Sequence, residues 1–317
     1  MMLDRRHVTM LLTAAAASLL ASACSSGDTK PGTGGASSDA TSTSSSTGGG
    51  GGAGGAMTNF NPSKGCGTMT GVKGEQKLTI DVMGQKRTYL LSVPPGYTGK
   101  DPLSLVIVFH ERASAGAKIK VDLPIEAKAG EKAIFVYPDG QPQFIANNDT
   151  GWELQSMAGA AEGNDLLLVD ALVSSISDDY CLDTKRVFAA GFGYGGEFVD
   201  TLGCYRGNVV RGIAPIAGGD VFHDEACKGT PAAWIAHGKD DVTIGFAKFA
   251  LPSRDHWLTV DGCGITSAPV DPMPCESYAG CKPATPVTFC AHTGLGGHVI
   301  PDFAAGAIWD FFSALED

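Results

Sequence analysis

Residues Ala189–Phe198 read "AAGFGYGGEF", and the reading of that stretch decides the fold. The apolar, β-branched run "RVFAA" leads into it and the helix-compatible "GGEFVDTLGCY" leads out, so it sits on a strand–turn–helix corner. Two motifs share this corner. Gly191, Gly193 and Gly196 have the Gly-x-Gly-x-x-Gly spacing of a dinucleotide-binding loop. Gly191, Gly193 and Gly195 have instead the spacing of the sharp Gly-x-Ser-x-Gly turn that presents a nucleophile, with glycine in the serine's place.

Working outward, "KLTIDVM" and "RTYLLSV" alternate in polarity around Gly84-Gln85 and predict a hairpin. Continuous apolar runs follow: "LVIVFH", "AIFVYP", "RVFAAGF", "GIAPIAG", "AWIAHG" and "PVTFC". Between several of them lie helix-compatible stretches at 165–180, 195–205, 246–260 and 303–315. Buried strands alternating with helices predict a mostly parallel sheet with helices on both faces, preceded here by an antiparallel hairpin. Functional groups in such sheets gather beyond the carboxyl ends of the strands. "LVIVF" ends at His110-Glu111, "AIFVY" at "PDG", "AWIA" at "HGKDD", and "PVTFC" at "AHTGLGGH". An acid after the penultimate strand and a histidine after the last have the order of an acid–base pair that serves a nucleophile at the corner. Asp241 and His298 fill those places, the carboxylate holding the imidazole's tautomer and stabilising its charged form.

In order and spacing, "FVYPDG", "YCLDTKRVFAAGF-YGG", "HGKDD", "SRDHWL…GC", "CESYAGC…PV" and "GGHVIPDFAAGAIWDFF" resemble the bacterial feruloyl esterase and polyhydroxybutyrate depolymerase group of α/β-hydrolases. The resemblance runs from Cys66 to Phe312. It implies an α/β-hydrolase fold and a carboxylic ester hydrolase acting on phenolic esters of plant polysaccharide or on polyesters. No cofactor is expected, and the cysteine spacing argues against a structural zinc site. The resemblance also implies roles: Asp241, not Asp240, as the acid, His298 as the base, and the Tyr194 N–H as one oxyanion donor. The nucleophile belongs at Gly193, where no side-chain oxygen exists. A second departure lies in the oxyanion loop, where the family's His-Gly reads His110-Glu111. If that position has positive φ, glutamate is strained there by roughly 1–2 kcal/mol. Its charge also lies near a site meant to stabilise an anion.

The dinucleotide reading fails against this frame. Glycine makes up 43 of the 317 residues, so short glycine patterns arise by chance. The nucleophile turn already supplies Gly191, Gly195 and Gly196, and glycine at 193 completes the other pattern, with Asp220 as the nominal ribose ligand. Glycine also adopts the strained nucleophile conformation without a Cβ penalty, so Gly193 is what the fold accepts once serine chemistry is lost. Three functions stay open on these residues. They are a binding protein without turnover, hydrolysis rerouted through water activated by His298 and Asp241, and a purely structural domain. His110, His237 and His292 read as structural, Asp255 as a helix cap or partner of Arg254, and Trp152, Trp234, Trp257 and Trp309 as core or pocket wall.

Residues 1–24 have the basic start (Arg5, Arg6), apolar run and small-residue end of a secretory signal. "LASAC" resembles a lipoprotein cleavage site with Cys24 as the lipidated residue. Residues 25–62 are rich in Gly, Ser and Thr and predict a flexible tether, leaving 63–317 as one domain. The expected address is outside the cytoplasm, with membrane contact only through the lipid. A net charge of −11 without a basic cluster argues against nucleic acid as a partner. Eight cysteines remain after Cys24, an even number that predicts up to four disulfides of open connectivity.

Overall fold

From Gly74 onward the alternating pattern makes a hairpin, β1 (Gly74–Val82) and β2 (Gln85–Val93), in antiparallel register with Val82 opposite Gln85. Its turn is Met83-Gly84, with φ of 52° and 79°. That is one residue earlier than the sequence reading, and both central residues take the positive φ of a type I′ turn. The computed structural model describes residues 60–68, 70–142, 148–154, 163–219, 227–294 and 296–315. They belong to one unit, Ala56–Asp317. The expected signal segment, Cys24, the tether up to residue 59 and Asp220 lie outside the described residues. Asn61 and Pro62, expected in the tether, already pair with Asp183 and Thr184, so the folded chain begins ahead of Ser63.

The hairpin continues into β3 (Leu103–Phe109), α1 (Gly116–Asp122), α2 (Ile125–Ala129), β4 (Ala133–Pro138), and the short pair β5 (Gln141–Pro142) and β6 (Thr150–Gly151). Next come α3 (Asn164–Asp179), β7 (Leu182–Phe192), α4 (Tyr194–Arg206), β8 (Gly212–Ile216) and β9 (Ala232–Gly238). A π-helical turn, Phe246–Ala250, runs into α5 (Leu251–Val260). The chain finishes with β10 (Ser267–Val270), β11 (Cys275–Tyr278), β12 (Val287–His292) and α6 (Ala304–Ala314). The main sheet has the order β1-β2-β4-β3-β7-β8-β9-β12-β11-β10. Its centre, from β4 to β12, is parallel, and both edges are antiparallel.

Successive side chains of each central strand go to opposite faces. Leu105, Ile107 and Phe109 pack in one core with Leu172 of α3, Phe198 of α4 and Trp257 of α5. Val106 and Val108 pack in the other with Ile119, Ile125 and Phe312 of α1, α2 and α6. Two-sided burial explains why these strands read as unbroken apolar runs. Four disulfides join Cys66–Cys181, Cys204–Cys227, Cys263–Cys281 and Cys275–Cys290.

Candidate active site

The corner quoted first is the join of β7 and α4. Gly193 has φ 57° and ψ −121°, outside the regions open to ordinary side chains, and its N–H donates to the Ile216 carbonyl. α4 can start this close to the sheet because Gly195 has no Cβ. One there would stand 2.3 Å from the Phe109 carbonyl oxygen. Tyr194 is the first helical residue, so its N–H lies at the positive end of α4 without an intrahelical acceptor.

Three loops at the same sheet edge complete the site. The turn after β9 holds Asp241, whose Oδ1 accepts from the N–H groups of Thr243 and Ile244 at 2.8 and 2.9 Å. The loop after β12 brings in His298, whose Nδ1 donates to Asp241 Oδ2 at 2.8 Å. The loop after β3 brings in Glu111, whose Oε1 accepts from His298 Nε2 at 3.2 Å. Burial alone would raise the Asp241 carboxyl, but the His298 bond and the two backbone donors outweigh it and hold it below its ordinary value. Burial would likewise lower His298. Its hydrogen bonds to Glu111 and Asp241 win and carry it up to about 8, so the ring is an imidazolium at neutral pH.

Gly193, Tyr194, Asp241, His298 and Glu111, all named from the sequence, are thus brought together. Glu111 departs from its expected part. It has no positive φ, so the anticipated strain is absent; the left-handed residue of this loop is Ala113, at φ 57°. Its backbone is held by His110, which accepts from the Gly140 N–H on Nε2 at 2.8 Å and donates from Nδ1 to the Glu111 carbonyl at 2.6 Å. Trp152 Nε1 donates to the His110 carbonyl. A Cβ placed on Gly193 would lie 2.8 Å from Glu111 Cδ and 2.9 and 3.0 Å from its two oxygens. The glutamate carboxylate lies where a residue-193 side chain would go and contacts His298 Nε2.

Glu197 was not named from the sequence. It lies one helical turn beyond Gly193 on α4, a spacing that aims its side chain back at the helix start. Burial and then the Glu111 charge push its carboxyl up to about 7, against the pull of His298. The other histidines have local duties. His237 Nε2 bonds the Ile244 carbonyl at 2.7 Å and lies 3.3 Å from Asp241 Oδ2, bracing the acid's turn. His292 is buried, and burial lowers its pKa. Asp255 lies inside α5, not at its start, and pairs with Arg254. The four tryptophans are buried. Among the described residues, Cys204, Cys227 and His256 are the group placed as metal ligands would be. The two cysteines share a disulfide and offer no thiolate there.

Acetyl xylan esterase from Aspergillus awamori superposes with a TM-score of 0.58 over 75% of this chain and 99% of that one, at 16% identity. Esterase PE8 superposes with a TM-score of 0.52 over 77% and 100%, at 14% identity. Feruloyl esterase D of Neurospora crassa is 29% identical over 279 residues, 80% of this chain and 90% of that protein. The chain has the α/β-hydrolase fold and is feruloyl esterase-like. A probable feruloyl esterase C of Aspergillus oryzae is 28% identical over 275 residues, again 80% of this chain and 91% of the relative. These relatives are fungal. No protein-family model matches the chain. Among its described residues, no helix is long and apolar enough to cross a membrane.

Proposed function

We propose that this domain receives carboxylic esters, of plant polysaccharide or of polyester, at the site formed by Gly193, Glu111 and His298, and that no acyl-serine forms there. One observation carries the reading: the Glu111 carboxyl lies within 3.0 Å of where a residue-193 Cβ would be, and pairs with the base. A serine mechanism needs a hydroxyl at 193 and a neutral histidine beside it. This site has neither at neutral pH. Binding without turnover is a second reading, favoured by the same contact, since a carboxylate opposes an oxyanion forming beside Tyr194 N–H. Export by the leader, with lipid attachment at Cys24, belongs to the proposal. The four disulfides support it, because such bonds persist outside the reducing cytoplasm.

The test compares Gly193→Ser with Gly193→Ser/Glu111→Gly on p-nitrophenyl acetate and methyl ferulate, with labelling by a serine-directed fluorophosphonate. In the single variant Glu111 still competes for His298 and keeps it protonated, so the base stays off. Freeing the base is expected to make the double variant faster by about 10²-fold or more, within the usual worth of a general base, and to place the label at position 193. A double variant that neither labels nor cleaves would show that the oxyanion site is not there, and the reading fails.

A further inference from the structure

The two departures from the serine pattern fit each other. Position 193 lacks a Cβ, and the carboxyl of Glu111 fills the space that a Cβ would contest. Asp241 Oδ2, His298 Nδ1, His298 Nε2 and Glu111 Oε1 follow in line at 2.8 and 3.2 Å, the sequence of contacts that joins acid, histidine and nucleophile in a triad. Glu111 is held in place by the His110, Gly140 and Trp152 hydrogen bonds without backbone strain.

The protonation of the site also suits a carboxylate. A serine must lose its proton, so its histidine starts neutral as a base. A carboxylate has no proton to lose, and its histidine must start charged so that it can protonate the leaving alkoxide. His298 is faced by Asp241 from the turn after β9, Glu111 from the loop after β3, Glu197 from α4 and His237 from β9, with the Phe192 ring 4.8 Å away. Two carboxylate oxygens on its two nitrogens make it the charged acid. Burial raises Glu197 to about 7, which weakens its hold on the imidazolium below that pH.

We propose that Glu111 is the nucleophile of this site. The inference rests on the ester-ligand reading above. A Glu111 oxygen attacks the ester carbonyl carbon, and the carbonyl electron pair moves to the oxygen beside the Tyr194 N–H. Collapse of that adduct breaks the bond to the alcohol oxygen, which takes the proton from His298 Nε2 and leaves. The product is a mixed anhydride of Glu111 and the acyl group, with His298 neutral. Water then adds to the anhydride. One of its protons goes to His298 and the other departs with the carboxylic acid. Glu111 is again a carboxylate and His298 an imidazolium, and the sum is ester plus water giving acid plus alcohol.

The test is single turnover of p-nitrophenyl acetate and methyl ferulate by the full chain, quenched into hydroxylamine and mapped by peptide mass spectrometry. The pH profile of kcat/KM and binding of methyl ferulate by calorimetry are measured alongside. The expected results are a hydroxamate on Glu111 and kcat/KM that falls as pH rises through about 8, where His298 loses its proton. A serine site shows the reverse limb, because its rate rises as histidine deprotonates. The isosteric Glu111→Gln should lower kcat by ~10³-fold or more while still binding methyl ferulate, as for loss of a covalent nucleophile. Glu111→Asp, shortened by one carbon, should fall between. Turnover that survives Glu111→Gln, or turnover of the native protein with no hydroxamate, overturns the proposal. A native protein that binds methyl ferulate without cleaving it overturns this proposal and leaves the ester-ligand reading standing. One that neither binds nor cleaves it removes both.

Discussion

Residue 193 is where chemistry and conformation meet. Its φ of 57° suits glycine, and a serine would bear the strain of that conformation as well as the Glu111 contact. The charge on His298 has a thermodynamic consequence. Its proton is held more tightly folded, at about 8, than at the ordinary 6.5 of an unfolded chain. A raised folded pKa means that the resulting stabilisation is complete below pH 6.5 and is lost as pH climbs through about 8. The unfolding free-energy gap between the native protein and His298→Gln, from urea titrations, should therefore shrink across that window. A gap that stays constant would mean His298 is not charged in the fold. At this scale the sequence showed a glycine at 193, on a turn whose spacing suits a nucleophile, and a charge at 111. It did not show that one fills the gap left by the other, since side-chain contact depends on how the loops fold.

At the scale of elements, the corner works because α4 sits almost against β3. Gly195→Ala would drive a Cβ to 2.3 Å from the Phe109 carbonyl oxygen, a backbone atom that cannot swing away. The expected cost is about 1–3 kcal/mol by overpacking, with weaker ligand binding as the α4 N-terminus shifts. Denaturant unfolding and calorimetry check both; an unchanged midpoint would refute the tight contact. α4 is anchored further by buried Asp200, which accepts from Ser253 Oγ and Trp257 Nε1 of α5. The long helices and central strands were legible because two-sided burial and helical periodicity write strong patterns. α1 and α2 were not, for each spans two turns or fewer and buries two residues. β10 and β11 were missed because "SAPV" and "CESY" are short and, apart from Cys275, half-exposed or exposed, and a disulfide from Cys275 to Cys290 of β12 helps fix β11.

At the scale of the molecule, the disulfides differ most in the length of chain they close. Cys66–Cys181 spans 115 residues and Cys275–Cys290 spans 15. By the chain-entropy model, removing the first should cost roughly 4–5 kcal/mol and the second roughly 3. Paired Cys→Ala variants in urea titrations should show that order, and a reversed order would place the worth of these bonds in local packing. Cys66–Cys181 also fastens the first described segment to the start of β7, beside the contacts of Asn61 and Pro62 with Asp183.

The succession of strands, the residues at the strand ends and the pairing of an acid with a histidine were readable because they rest on local pattern and chain order. Alternation, apolar runs and glycine spacing are written within a few residues of one another. The disulfide partners, the Met83-Gly84 turn, Glu197 and the place of the Glu111 carboxylate were settled by folding. Glu111 meets His298 187 residues further along the chain. That contact exists only because a parallel sheet carries the ends of β3, β7, β9 and β12 to one edge, where a glycine without a Cβ leaves room for a carboxylate.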